Sequence, residues 1–318
     1  MGARRPAVEA LFRPLEVRGL RLRNRIVMPP MVQLRPLASP EGVAWYRERA
    51  AGGPGLVIVE ATAANRFGGE LTAANLRPLV DAIHAGGAAA AIQLFPVTFR
   101  RQVSPAEIDR AGIDAMVEEY RRAAAICLEA GFDGVEPHGA HGYVLNGFFS
   151  PEKNRRTDEY GPGSLADRSR LALEIVRAVR PGLDPRGLLL YRHTPVGPGY
   201  GIEDSLALAR ELIAAGIDIL DISPASDRAP GDLAAPFSGL GVPVVAVGQL
   251  DDVERCLEVL QGGRADLCAI GRGLIADPDW PEKVRSGRFD EIVACERCDE
   301  GCFGNLRRNE WVECVQRR

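Results

Sequence analysis

Four thiols stand near the C-terminal end of the sequence: Cys295, Cys298, Cys302 and Cys314, spaced C-x2-C-x3-C-x11-C. Thiolates this close can surround one centre as a tetrahedral sulfur site, which suits zinc or an iron-sulfur cluster. The spacing itself leaves both open. A second constellation lies in GVEPHGAHGYVLNGFFSPEKNRRTDEYG, where His138, His141 and Tyr143 bring two imidazoles and a phenol onto one loop. As composition alone, an H-x2-H pair binds a metal or satisfies loop backbone. A third feature is Arg192, set in the apolar run LLLYRHT. A guanidinium there needs an anionic or polar partner, because burying it unpaired is costly.

Such groups must be positioned by regular elements, and the sequence supplies them in alternation. Short runs rich in apolar residues predict strands at 24–31, 55–62, 89–95, 134–138, 188–194, 218–223, 242–248 and 265–271. Most are almost continuously apolar, as strands buried on both faces of a parallel sheet are. Between them, helical periodicity predicts helices at 42–51, 75–85, 113–130, 165–180, 203–215, 251–262 and 280–286. In the 113–130 segment, Val117, Tyr120, Ala124, Cys127 and Leu128 form one stripe and Gly131 supplies the stop. SDRAPGDLAAPFSGLG, between the sixth and seventh strands, is the weakest helical segment. Eight strands with mostly helical crossovers predict a TIM (β/α)8 barrel, ahead of a doubly wound open sheet. Functional residues should then gather at the C-terminal ends of the strands. Gly248 and Gly271 fall at the seventh and eighth strand ends, and Arg272 adds a cation. Together they resemble a barrel phosphate site. The glycines of GPGYG, residues 197–201, carry no dinucleotide fingerprint and read as a loop.

Composition narrows the partners. With 39 Lys plus Arg against 43 Asp plus Glu, the net charge of -4 gives no pull toward nucleic acid or an anionic membrane. The start, MGARRPAVEA, lacks a signal-like apolar core, and the most apolar run, 88–95, is too short to span a bilayer. We expect a cytoplasmic protein acting on a small molecule, and an oligomer of identical chains. In that reducing compartment the seven cysteines are not expected to pair, and Cys127, Cys256 and Cys268, each within an apolar pattern, are expected in the core.

The string from His138 through Asn154, Arg156, Asp158, Tyr160 and Gly161 resembles the signature of the Old Yellow Enzyme family, the FMN-dependent NAD(P)H:flavin oxidoreductases. RLRNRIVMPPM and GLVIVEAT resemble that family's first two strands, and PVVAVGQL and AIGRGLIADPDWPEKVRSGR its last two. The resemblance therefore covers nearly the whole chain. It implies FMN across the barrel mouth, against Pro29, Pro30 and Met31. Ala61 would supply a backbone donor, Gln93 would bond the pyrimidine edge, and Arg192 would stand beside the N1 and C2 carbonyl region. Gly248, Gly271 and Arg272 would take the phosphate. It further implies that His138 and His141 hold the oxygen of an enone or enoyl substrate while Tyr143 gives a proton to its α carbon.

Placed directly after the eighth barrel unit, the four cysteines resemble the [4Fe-4S] ligands of the branch that contains 2,4-dienoyl-CoA reductase, trimethylamine dehydrogenase and the enoate reductases. The resemblance divides the chain into an FMN barrel, residues 1–290, and a cysteine-rich segment, 291–318, packed on it. Members of that branch continue into an FAD- and NAD(P)H-binding domain. The expectation here is therefore a separate NAD(P)H-dependent reductase or ferredoxin-like donor, or direct reduction of the flavin with the cluster mainly structural. Several positions depart from the family pattern and bear on substrate class. QLFPVTFR carries Pro96 where relatives have histidine, Val32 offers no side-chain hydrogen bond, His193 should face away from Arg192, and SPASDRAPGD lacks a histidine. Two other readings stand beside ene reduction: oxidative dehydrogenation or demethylation of an amine or cyclic substrate with the same cofactors, and a non-catalytic electron-transfer or zinc-bearing scaffold.

Overall fold

The computed structural model describes residues 7–96, 103–183, 185–225 and 231–317. Eight parallel strands close into a barrel: β1 Ile26–Met28, β2 Leu56–Ala63, β3 Ala89–Phe95, β4 Gly134–Gly139, β5 Leu188–His193, β6 Ile219–Ile222, β7 Val244–Val247 and β8 Leu267–Ala269, with β8 pairing β1 to complete the ring. Each falls within or beside a predicted strand. Around them lie the helices α1 Pro40–Ala51, α2 Ala73–Ala85, α3 Arg110–Ala130, α4 Val144–Phe149, α5 Leu165–Leu183, α6 Ile202–Ala214, α7 Val253–Gln261, α8 Arg272–Ala276 and α9 Trp280–Arg285. The sequence supplies clear stops for α3: the Asp109 side chain accepts from Gly112 N at 2.8 Å at its start, and Gly131 adopts a left-handed φ of 103° at its end.

Two elements differ from expectation. The first strand is much shorter than 24–31, because Pro29 and Pro30 have no N–H to continue the ladder and the chain leaves the sheet there. Part of the weakest helical segment lies outside the described residues, and Gly231–Phe237 forms only a 3-10 run. A further feature is a hairpin, Leu15–Val17 with Leu20–Leu22, whose turn residues Arg18 and Gly19 both have positive φ. Val17 and Leu22 pack on the barrel interior with Val27, Leu56, Leu188 and Leu267 and so close its N-terminal end.

Period-two alternation then sets the character of the mouth. Leu56 and Ile58, Ala89 and Ala91, Leu188 and Leu190, and Ile219 belong to the interior apolar cluster. The next inward positions up the same strands are Glu60, Gln93, Arg192 and Asp221, and Gly134 on β4 is followed by Glu136. Thus the lower barrel is hydrocarbon and the upper layer is charged. In the outer core, between strands and helices, Cys127, Cys256 and Cys268 are all fully buried, as expected of small apolar side chains.

Candidate active site at the barrel mouth

A cleft of about 440 Å³ opens over the C-terminal strand ends, within the range of roughly 300–1,000 Å³ usual for small-molecule sites. Pro30, Met31 and Val32 line one side, His141, Tyr143, Arg192 and Ser223 another, and Gly248 and Arg272 a third. His138 lies directly behind, its ring 5.1 Å from that of His141 and 5.6 Å from that of Tyr143. Phe95 stands among them, 5.4 Å from His138 and edge-on to Tyr143 at 5.0 Å. The three expected polar rings are therefore brought together.

Their chemistry follows from their surroundings. Burial, with His141 and the Arg192 cation close by, holds His138 well below the ordinary imidazole range. Burial, with Arg192 again nearby, lowers His141 to about 3. Both rings are neutral near pH 7, so each presents one N–H and one lone pair. His141 has φ 60°, an unusual value for this residue type, and its backbone N donates to Thr194 Oγ1 at 2.9 Å. Its Nε2 lies 2.8 Å from Ser223 Oγ, which also accepts from Arg192 Nη2 at 2.9 Å. Ser223 thus joins the arginine to the histidine. Tyr143 is the N-cap of the short helix α4, which fixes its backbone between the loop and the barrel wall.

Arg192 is buried, with Nε 3.4 Å from Asp221 Oδ2. The register that pairs His138 with Arg192 and Arg192 with Asp221 sets these three side by side on β4, β5 and β6. Gln93, fully inside the barrel, donates from Nε2 to Glu136 Oε1 at 2.7 Å. His193 turns outward, as strand alternation requires, and its Nε2 is 2.9 Å from Ser205 Oγ on α6. At Ala61 the ladder slips: Val59 pairs Ile92 but Thr62 pairs Leu94, so β2 carries one extra residue. Tyr46 Oη takes the Glu60 N–H at 3.0 Å, and Thr62 Oγ1 donates to Glu60 O. Such a bulge redirects the backbone beside a site. At the ends of β7 and β8, Gly248 has φ 134°, which favours glycine, and a Cβ on Gly271 would crowd the Met31 sulfur at 3.2 Å.

All four C-terminal cysteines line one small hollow beside the cleft, together with Arg272, Ile275 and Gly301. Among the described residues no three His, Cys, Asp or Glu side chains converge on a single-ion position. Arg272, Ile275 and Cys302 line both cavities and form the wall between them. The cysteine segment is held to the barrel at several points. Gln33 O accepts from Val312 N, and the Arg35 guanidinium lies between the rings of Trp45 and Trp311, at 4.6 and 4.9 Å. Val293 N donates to Asp277 Oδ2.

Glu136, Asp221 and Ser223 were not singled out from sequence. Their signal was present: each continues an inward-facing position at a strand's C-terminal end, where an apolar pattern gives way to a polar residue.

The model of the NADH:flavin oxidoreductase / NADH oxidase family matches residues 10–101, 95–215 and 233–291. An NADH oxidase from Thermoanaerobacter brockii is 32% identical over 92% of this chain, which spans 53% of that relative's length. An NADPH dehydrogenase from Listeria innocua is 32% identical over 89% of this chain and 96% of its own. Among solved structures, morphinone reductase matches with a TM-score of 0.73 at 30% identity, covering 87% of this chain and 90% of that one. A 2-naphthoyl-CoA reductase matches in fold over 97% of this chain and 57% of its own, with a TM-score of 0.84 at 24% identity.

Proposed function

Because this chain belongs to the NADH:flavin oxidoreductase / NADH oxidase family, we propose that its barrel mouth binds FMN and reduces the C=C bond of an α,β-unsaturated carbonyl or enoyl substrate. The observation that carries this reading is the grouping of His141 and Tyr143 in one cleft with Arg192 and Arg272, with the His138 ring packed directly behind the first two. The residues fit the cofactor: an apolar wall of Pro30 and Met31 for a planar ring with Pro29 buried beside it, Ala61 at a bulge, Gln93 and Arg192 in the polar layer, and Gly248, Gly271 and Arg272 for the phosphate. When bound, FMN supplies the hydride.

The protein's own part is electrostatic and acid-base. Two neutral imidazole N–H groups hold the substrate oxygen and stabilise the negative charge that develops on it. Their neutrality matters, since an imidazolium beside Arg192 would be repelled. Tyr143 then delivers its phenolic proton to the α carbon. Phe95, packed against His138 and Tyr143, keeps water from these donors and limits the room above them.

The four cysteines would hold a [4Fe-4S] cluster, which supplies single electrons. Two observations support this: all four thiols line one hollow, and Cys302 belongs also to the wall of the cleft. Cys298 is exposed, on the side from which a separate NAD(P)H-dependent reductase or ferredoxin-like protein could donate. The test is anaerobic purification followed by an absorption spectrum, metal and sulfide analysis, and turnover with enones, enoyl thioesters and amines in parallel. Flavin bands with enone reduction support the proposal. Amine oxidation without enone reduction would replace it with the dehydrogenase reading, and a colourless zinc protein with the scaffold.

A further inference from the structure

The upper layer of the barrel holds more acid than base. Glu136 on β4 and Asp221 on β6 are fully buried, flanking Arg192 on β5, which is 6% exposed. Glu60 on β2 is a third acid of this layer, and its carboxylate accepts from Gln33 N. Gln93 reaches in from β3, His138 stands one inward position above Glu136 on its own strand, and the remaining interior neighbours below are hydrocarbon. Both imidazoles are neutral, so Arg192 is the one cation among these groups.

Among the described residues, the hydrogen bonding of the Glu136 and Asp221 carboxylates is incomplete. Glu136 Oε1 accepts from Gln93, but Oε2 has no donor. Neither oxygen of Asp221 accepts a hydrogen bond, although Arg192 Nε lies 3.4 Å from Oδ2 as an ion pair. Two ionised carboxylates here would leave one buried negative charge uncompensated and several acceptors facing one another, an arrangement costing several kcal/mol. Glu136 and Asp221 are themselves within hydrogen-bonding reach. A single proton between them removes both difficulties: it supplies the missing donor and leaves one negative charge against one positive.

We propose that Glu136 keeps a proton at neutral pH and donates it to Asp221, so that Asp221 alone is the counter-ion of Arg192 and these three side chains together carry no net charge. Glu136 is then a positioning residue. It acts through Asp221 on the guanidinium and, through Ser223, on His141. Burial and the neighbouring Asp221 carboxylate both push the Glu136 carboxyl upward, and burial raises Asp221, with Arg192 opposing. The consequence for the cofactor rests on the FMN reading above: a doubly ionised pair would oppose negative charge on a reduced flavin, whereas the neutral trio of Glu136, Asp221 and Arg192 does not.

The proton itself can be sought without flavin. Infrared difference spectra of wild type against Glu136→Gln, collected on the protein with and without FMN, should show the carbonyl stretch of a protonated carboxylic acid at neutral pH, lost in the variant. The second measurement is the midpoint potential of bound FMN. Glutamine can still accept from Gln93 and donate to Asp221, so Glu136→Gln should shift the potential far less than Asp221→Asn, which should raise it by leaving Arg192 unbalanced. Absence of the acid band in wild type, or a shift in Glu136→Gln as large as in Asp221→Asn, would overturn the proposal. Should Asp221→Asn fail to fold, the band in wild type and Glu136→Gln decides alone. A chain that shows the band but takes up no FMN would refute the flavin reading while leaving the shared proton standing.

Discussion

Arg272 Nη1 donates to Asp299 Oδ1 at 2.6 Å, so the cation at the end of the eighth barrel strand is tied to the loop that carries the cysteines. The same guanidinium lies 5.9 Å from the ring of Phe303 and faces both cavities. One residue therefore joins the cleft to the thiol hollow. Arg272→Ala should weaken FMN binding by roughly tenfold to a hundredfold, the worth of a charge-assisted contact of about 1.5–3 kcal/mol. Asp299→Asn should change FMN affinity less but loosen the segment after residue 291. Fluorescence titration with FMN and limited proteolysis separate the two effects, and equal FMN loss in both variants would contradict the division.

Tyr143 should act on one half-reaction only. In the proposed reaction its hydroxyl protonates substrate carbon, and a positioned general acid contributes about 10²–10⁴-fold. Tyr143→Phe should slow reoxidation of reduced enzyme by an enone by a factor in that range, while reduction of the flavin by its donor changes little. Stopped-flow measurement of each half-reaction checks this. Equal slowing in both would remove Tyr143 from the acid role.

The neutral imidazoles predict an unusual pH response. Since burial and Arg192 keep His138 well below its usual range and His141 near 3, neither gains a proton between pH 5 and 8. Binding of a phenolic inhibitor that imitates an enolate should then follow the ionisation of the inhibitor alone across that interval. Replacing either histidine by Ala should weaken it by roughly tenfold to a hundredfold. An inflection near pH 6.5 in the wild type, absent from the variants, would show that an imidazolium forms.

Much of this architecture is written in the sequence because it depends on runs of residues rather than single ones. Most of the predicted strands are runs rich in apolar residues, and α3 carries its cap, stripe and stop. What was less legible depends on alternation across short spans or on pairing between strands. The hairpin LEVRGLRL alternates in period two around an Arg-Gly turn, a pattern long enough to fold only because the barrel floor needs covering. Helix α4 is six residues long and has no visible periodicity. Glu136 and Asp221 read as ordinary strand-end carboxylates until the register places both beside Arg192. The cysteine spacing alone predicts a sulfur site, whereas the Trp45–Arg35–Trp311 stack that helps fasten the cysteine segment joins residues far apart in the sequence. Family resemblance supplied roles that no spacing could, including those of Ala61 and Gln93.

Removing one thiol tests the C-terminal centre. Cys298 is the most exposed of the four, and Cys298→Ala should lower iron and acid-labile sulfide while the barrel keeps its FMN, because the cleft is lined by other residues. Iron analysis beside flavin absorbance gives the result. Loss of both together would mean that the segment is required for the barrel mouth to form.

Glu60 links that segment to pH. Its carboxylate lies in the upper barrel layer and accepts from Gln33 N, while Gln33 O in turn holds Val312. Burial, opposed by those backbone donors and by Arg66 and Arg35, raises Glu60 to about 7. In the unfolded chain a glutamate releases its proton near pH 4.3. Between these values the folded state binds more protons than the unfolded one, so the stabilisation that protonated Glu60 brings is complete below about pH 4.3 and is lost as pH rises through 7. The slope is at most about 1.4 kcal/mol per pH unit. His193, buried and lowered to about 4, titrates in the opposite sense, because its neutral form loses stability on acidification below about pH 6.5. The wild-type curve alone therefore mixes the two. The difference in Tm between wild type and Glu60→Gln isolates the glutamate: it should move against the wild type steadily from pH 5 to pH 8. A difference that stays flat over that range would show that Glu60 is already ionised in the fold, and that the loop it grips is held by a carboxylate rather than by its acid.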